Sequence, residues 1–563
     1  MLTWLVDRLS AAQETAGPLG SPKAARTLLA ELETETPQYA LTELAKQFKD
    51  TPPEGLGTPG GAGALQRIDE WAQPRLDTLW SSVIADRQGI SLSMPIWEVL
   101  TQYYRGAYLG YWNCYRAFGA SATVPKRDPT QPVIIAARAL AAVARHVLLL
   151  KMRYLLAPKE TWAHLWSLIG RSDEWGIAAE PVTLYPDGSQ TTVERELLMA
   201  LLLEVAPTGN LLPGQMVALE RLLRPHAQEL LRSPRYDPRA TPFVYDPSRS
   251  APPERWFSRL EVRAELRYFG LGGAYDALCQ ARAASGRPHW LGETRCSTEG
   301  YDKLVERIVE AWSASPPRRR HQREPRTGEL LIAHDWEHIR RLVKFSEMAL
   351  SGRSPAYENN HAYRMSGLLT TAGDHEGRVP GGAVSARQAL TNLLLFEKMA
   401  DAETVDTWSF NDTSESGLGA VAETDCNWVK LGMVIAVRER ESAEWKVALV
   451  RRLERAPNGR LLIGMARVGA RVRAARLWPG IGRIRHAATA ARKEPGLEIE
   501  YGALLVCDTA RTVLLPVGLF DATQKYTLSY EDHYHVVNMT RVLERGLNFE
   551  QIEISEVEMM RAA

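Results

Sequence analysis

Two short stretches of the chain carry residue types at spacings suited to chemistry. In PPRRRHQREPRTGELLIAHD, residues 316–335, five arginines (Arg318, Arg319, Arg320, Arg323 and Arg326) fall within nine positions just before an apolar run, and Arg319 and Arg323 form an RxxxR pair. In WSFNDTSESGLGA, residues 408–420, Asp412, Ser414 and Gly417 form DxSxxG. An arginine fork can hold a phosphate through two parallel hydrogen bonds, and it can equally give two donors to O6 and N7 of guanine. A short Asp/x/Ser turn adds an acceptor for guanine N–H groups and a hydroxyl, while glycine permits a tight turn or close approach. Together these types suit recognition of phosphate and guanine. Taken singly, a basic run also suits a solvated surface or a linker, and Asp, Ser and Gly crowd ordinary turns.

Other candidates lead elsewhere. Gly55, Gly57 and Gly60 match GxGxxG, but a helical segment precedes them and prolines precede or interrupt them, so the stretch reads as a linker rather than a dinucleotide loop. His334 and His338 in HDWEH stand four apart, a spacing that can share a metal on one helix face; the general base of an HExxH site is replaced by Asp335, and no metal is expected. His533 and His535 would share one face of a strand without a third ligand in view. Five scattered cysteines (Cys114, Cys279, Cys296, Cys426, Cys507) form no CxxC pair, which argues against a disulfide framework and for a reducing, cytoplasmic home. No nucleophile is placed beside a base, so no enzyme is expected.

The elements that must position these residues change character along the chain. From residue 1 to about 310 the periodicity is helical, with loops at 51–64 and at 232–254, the latter a surface connection or docking loop. The apolar window 136–157 is interrupted by Arg138, Arg145, Lys151 and Arg153, which predicts a buried helix and no membrane span. Beyond the basic knot, GELLIAHD reads as a strand, WEHIRRLVKFSEMALSG and ARQALTNLLLFEKMAD as helices, and TVDTWSF, WVKLGMVIAVRER, EWKVALVRRLER and GRLLIGMARVG as strands. The expected domains are a helical region over 1–310, in one part or in two divided near 232–254, a β-barrel over 316–480 interrupted by helices and loop at about 335–403, and a small β-rich segment over 495–563.

With RxxxR, DxSxxG and that order of strands, the stretches 316–334 and 404–475 resemble the PilZ family, small β-barrel receptors for the bacterial messenger cyclic di-GMP. The resemblance implies that Arg319 and Arg323 grip phosphate and guanine, that Asp412 and Ser414 receive the other side, and that Gly417 shapes the turn, with Arg318, Arg320 and Arg326 assisting. It also implies a separation of only two or three dozen residues between the motifs; here Asp412 follows Arg323 by 89 positions. An insertion after the first barrel strand accounts for the excess, because loop closure grows only logarithmically with length.

Composition narrows the remaining classes. With 68 Lys plus Arg against 67 Asp plus Glu, no whole-chain field draws the protein to nucleic acid or an acidic membrane. The expectation is therefore an α+β multidomain protein: a large all-α N-terminal region, a PilZ-like antiparallel β-barrel and a small C-terminal β segment. It would bind cyclic di-GMP without a cofactor or metal and relay binding to a protein partner of the helical region, the ligand ordering the arginine segment. The alternative is a non-catalytic scaffold whose degenerate barrel binds no nucleotide.

Overall fold

A computed structural model describes residues 19–51, 56, 59–118, 130–186, 188, 190–257, 263–284, 286–317, 321–352, 384–399, 405–423, 426–456, 458–480, 500–508, 511–530, 533–560. The chain divides into two compact units, Met1–Arg318 and Arg319–Ala563.

The first unit is built mainly from helices: α1 (Pro22–Glu31), α2 (Pro37–Asp50), α3 (Pro59–Ser82), α4 (Met94–Phe118), α5 (Thr130–Met152), α6 (Lys159–Glu174), α7 (Val193–Val205), α8 (Pro213–Leu223), α9 (Ala274–Ala283) and α10 (Thr298–Trp312). Proline at the first helical position and a Ser21 or Thr36 hydroxyl accepting a backbone N–H start α1 and α2. Among the described residues α5 is the one helix long and apolar enough to cross a membrane, yet it is the spine of this unit's core, buried on nearly every side. Its charges are matched internally: Arg138 Nη2 donates to Glu70 Oε1 at 2.7 Å and Lys151 Nζ to Glu204 Oε1 at 2.7 Å. Beside them, the buried Asp69 carboxylate accepts from the hydroxyls of Tyr103 (3.1 Å), Tyr111 (2.8 Å) and Tyr185 (3.0 Å).

This unit is not all-α. A two-stranded ribbon pairs β1 (Val182–Thr183) with β2 (Gln190–Thr191), and β3 (Leu231–Ser233), β4 (Phe243–Tyr245), β5 (Glu254–Arg255) and β6 (Arg267–Gly270) form a sheet in the order β3-β6-β4-β5. The stretch 232–254, expected as a loop, thus supplies sheet strands. Its Pro and Asp breakers are real, but between them Phe243, Val244 and Tyr245 are all buried, and strands two to four residues long leave little periodicity to read.

The second unit holds two closed barrels. The first uses β8 (Glu329–Ala333), β9 (Asp406–Ser414), β10 (Gly417–Ala422), β11 (Val434–Glu439), β12 (Lys446–Arg455) and β13 (Leu461–Arg467), paired all antiparallel in the circuit β8-β9-β10-β13-β12-β11, with β7 (Glu324–Pro325) laid against β9. Between β8 and β9 the chain forms α11 (Trp336–Leu350) and α12 (Ala386–Met399). Both faces of β8 are therefore covered: Leu331 and Ala333 join Ile339, Phe345 and Phe396 of the helices in one core, and the alternate Leu330 and Ile332 are fully buried on the other face.

The C-terminal segment is larger than expected. Strands β14 (Val472–Pro479), β15 (Tyr501–Cys507), β16 (Arg511–Leu515), β17 (Lys525–Tyr530), β18 (His533–Arg545) and β19 (Glu550–Met560) close a second six-stranded barrel, β14-β15-β16-β19-β18-β17. It begins at Val472, inside the stretch that the sequence reading assigned to the first barrel. Only Val468–Arg471 joins the two, turning at Gly469 (φ +114°), whose missing side chain leaves room for the Asp508 carboxylate; a strand pattern carries no mark of which barrel it enters. Leu504, Val506, Leu514 and Phe549 of the second barrel share the core of α11, α12 and the first.

Candidate ligand site at the mouth of the first barrel

The site is set by how β9 is flanked. On one side β7 pairs with its end, Glu324 opposite Thr413 and Pro325 opposite Asp412, and the Arg326 N–H donates to Asn411 O at 3.0 Å. On the other side β10 returns after a two-residue connection, Glu415–Ser416, so that Gly417 pairs with Ser414 and Gly419 with Asp412. Residues 89 positions apart consequently meet: Arg323 Nη1 donates to Asp412 Oδ1 at 2.6 Å. Asn411 Nδ2 donates to the other carboxylate oxygen at 3.1 Å. A second contact joins the same two segments, His321 Nδ1 to Glu415 Oε2 at 2.9 Å.

Two glycines make this geometry possible. A side-chain carbon at Gly417 would lie 2.6 Å from Met465 O, so the residue is needed for the close approach of β13 and not for a left-handed turn. At Gly419 it would lie 2.5 Å from Asp412 Oδ1, so the bare backbone leaves the space into which the carboxylate turns toward Arg323. The Ser414 hydroxyl makes only a long bond to Gly417 O, 3.4 Å, which leaves it able to reorient. The Arg323 side chain is one-third exposed and that of Asp412 about one-fifth (33% and 18%), enough for a ligand to reach both.

Of the residues singled out in the sequence, Arg323, Asp412, Ser414 and Gly417 come together here. Arg326 lies on the same segment with an exposed side chain. Arg318, Arg319 and Arg320 lie outside the described residues. Sequence reading missed Gly419 and Arg467, whose parts depend on strand register; Arg467 Nη2 donates to Thr413 Oγ1 at 3.1 Å and Nη1 to Glu415 O at 3.3 Å. No motif spacing marks either residue.

The competing candidates separate. Asp335 caps α11, leaving His334 before the helix, stacked on Trp428 at 4.1 Å between ring centres, while His338 is buried inside it; they do not share a helix face. His535 Nδ1 is 2.7 Å from Glu556 Oε1, and its ring stacks on Tyr530. No cluster of three or more potential metal ligands occurs among the described residues. The GxGxxG stretch lies largely outside them, and Pro59 and Gly60 open α3.

Comparison with known families adds an independent finding. A family model described as the N-terminal domain of the cyclic-di-GMP receptor FimW matches residues 23–234, in the helical first unit. Over those residues the chain is similar to part of a cyclic-di-GMP receptor; the match does not extend to either barrel. No curated protein and no solved structure matches the chain.

Proposed function

We propose that this chain is a bacterial, non-catalytic receptor for cyclic di-GMP, which it holds at the mouth of a PilZ-like first barrel, and that it relays binding to a protein partner of its helical unit. The observation that carries the reading is the meeting of Arg323 with Asp412, 89 positions apart in the sequence. The similarity of residues 23–234 to a domain of a cyclic-di-GMP receptor supports the same ligand from a different part of the chain.

Binding is an exchange of partners. Arg323 leaves Asp412 for a phosphate or guanine edge, and Asp412 turns to guanine N–H groups. A part-exposed ion pair is worth about 0–1 kcal/mol, whereas a bidentate arginine contact gives about 1–3 kcal/mol, so the exchange is downhill. Ligand is expected to order the arginine segment further, since residues 321–326 already sit against β9 through β7, the Arg323–Asp412 ion pair and the His321–Glu415 contact. Part of the entropic cost of forming the site is thus met before ligand arrives. The signal then travels along the chain, because the segment that grips ligand follows α10 after a short connection.

Calorimetric titration of the full-length protein with cyclic di-GMP tests the proposal. Micromolar binding that Arg323→Ala removes is the expected result. Absence of heat, with no thermal shift at a hundredfold excess over a micromolar Kd, where about 2.7 kcal/mol of stabilisation is due, would instead leave the barrel a scaffold.

A further inference from the structure

We propose that Arg467 is the positioning residue of this site, fixing the Asp412–Gly417 hairpin from beneath so that Asp412 and Ser414 face the ligand. The inference rests on the receptor reading above. Arg467 ends β13, the neighbour of β10, and reaches the tip of the hairpin three times: its backbone N–H donates to Ser416 O at 3.0 Å, Nη1 to Glu415 O at 3.3 Å and Nη2 to Thr413 Oγ1 at 3.1 Å. The two terminal nitrogens therefore bridge the β9 limb of the turn and its apex. Inside the hairpin the side chains hold little: Thr413 and Ser414 make only long bonds to Gly417 O, 3.5 and 3.4 Å, and the Glu415 side chain is mostly exposed.

The charge of Arg467 has a second consequence. Arg323 is neutralised by Asp412, but Arg467 has no carboxylate partner among the described residues, and both its contacts are neutral oxygens. It adds a fixed positive charge beside the mouth, complementary to a ligand carrying two phosphates. Its Nε is buried without a hydrogen-bond partner, so the contacts that orient the guanidinium are those of its two terminal nitrogens to the turn. A lysine presents one ammonium and cannot span two separated acceptors with fixed geometry.

Full-length wild type, Arg467→Ala and Arg467→Lys are titrated with cyclic di-GMP by calorimetry, and Arg467→Ala again in millimolar methylguanidinium. Arg467→Ala is expected to weaken binding by about ten-fold, the loss of one to two charge-assisted hydrogen bonds. Arg467→Lys recovers only part of this, methylguanidinium restores the alanine variant toward wild type, and Tm follows neither trend. Wild-type affinity in Arg467→Ala overturns the role of Arg467 and leaves the receptor reading standing. A weakening that methylguanidinium does not restore, and that tracks a fall in Tm, reduces Arg467 to a general structural residue. Failure of the wild type to bind removes the receptor reading, and this inference with it.

Discussion

At the scale of single residues, the mouth of the first barrel is held together by the Arg323–Asp412 ion pair and the His321–Glu415 contact. Replacing Asp412 by Ala removes the acceptor meant for guanine and is expected to lower cyclic di-GMP affinity by about ten-fold or more. The cost to the fold is small, because the pair it breaks is part-exposed and worth about 0–1 kcal/mol; titration and thermal melts of the same variant separate the two effects. Gly419→Ala tests the site from another direction. Its added methyl has 2.5 Å to the Asp412 carboxylate, so Asp412 is driven from its place and affinity falls with every motif residue intact. Retained affinity in Gly419→Ala would show that the orientation of Asp412 is immaterial. Arg323, Asp412, Ser414 and Gly417, which the fold brings together, were legible as candidates because their types suit the chemistry. Gly419 and Arg467 were not, because each acts through a neighbour that only strand pairing supplies.

At the scale of elements, buried charge decides where stability depends on conditions. Glu347 on α11 accepts a hydrogen bond from the Ala474 N–H of β14 at 3.2 Å, and burial pushes its carboxyl up to about 7. A carboxyl raised in the folded state contributes stability that is complete below its unfolded value of about 4.3 and is lost as pH rises through 7. Denaturant melts from pH 5 to 8 should therefore show falling stability, and Glu347→Gln should flatten that fall; an unchanged slope would place its cause elsewhere. In the helical unit, Asp69→Ala leaves the hydroxyls of Tyr103, Tyr111 and Tyr185 without their acceptor and removes the carboxylate 3.9 Å from Arg138, and is expected to cost about 3 kcal/mol in the same assay. The long helices were readable from their apolar residues, since α10 buries them at three-to-four intervals and α5 is apolar almost all round. Strands β3–β6 were hidden because they are too short for alternation to show. The second barrel was hidden for a different reason: β14 follows β13 after four residues, and closure is a property of pairing between β14 and β17 that no local pattern encodes.

At the scale of the whole molecule, two lines of support fall on different units: the arginine and aspartate motifs on the first barrel, the family similarity on residues 23–234 of the helical unit. The chain joins them through the arginine segment, so occupancy of the barrel mouth should be felt there. Limited proteolysis within 316–326 is expected to slow in saturating cyclic di-GMP, and unchanged cleavage would argue against a relay along this link. The most direct measurement is amide hydrogen exchange across the full-length protein with and without saturating cyclic di-GMP, because it reports every candidate region in one experiment. The account predicts slowed exchange in 321–328 and 411–419 together, with the second barrel unaffected. Slowed exchange confined to 23–234, or none anywhere, would contradict a ligand site at the mouth of the first barrel.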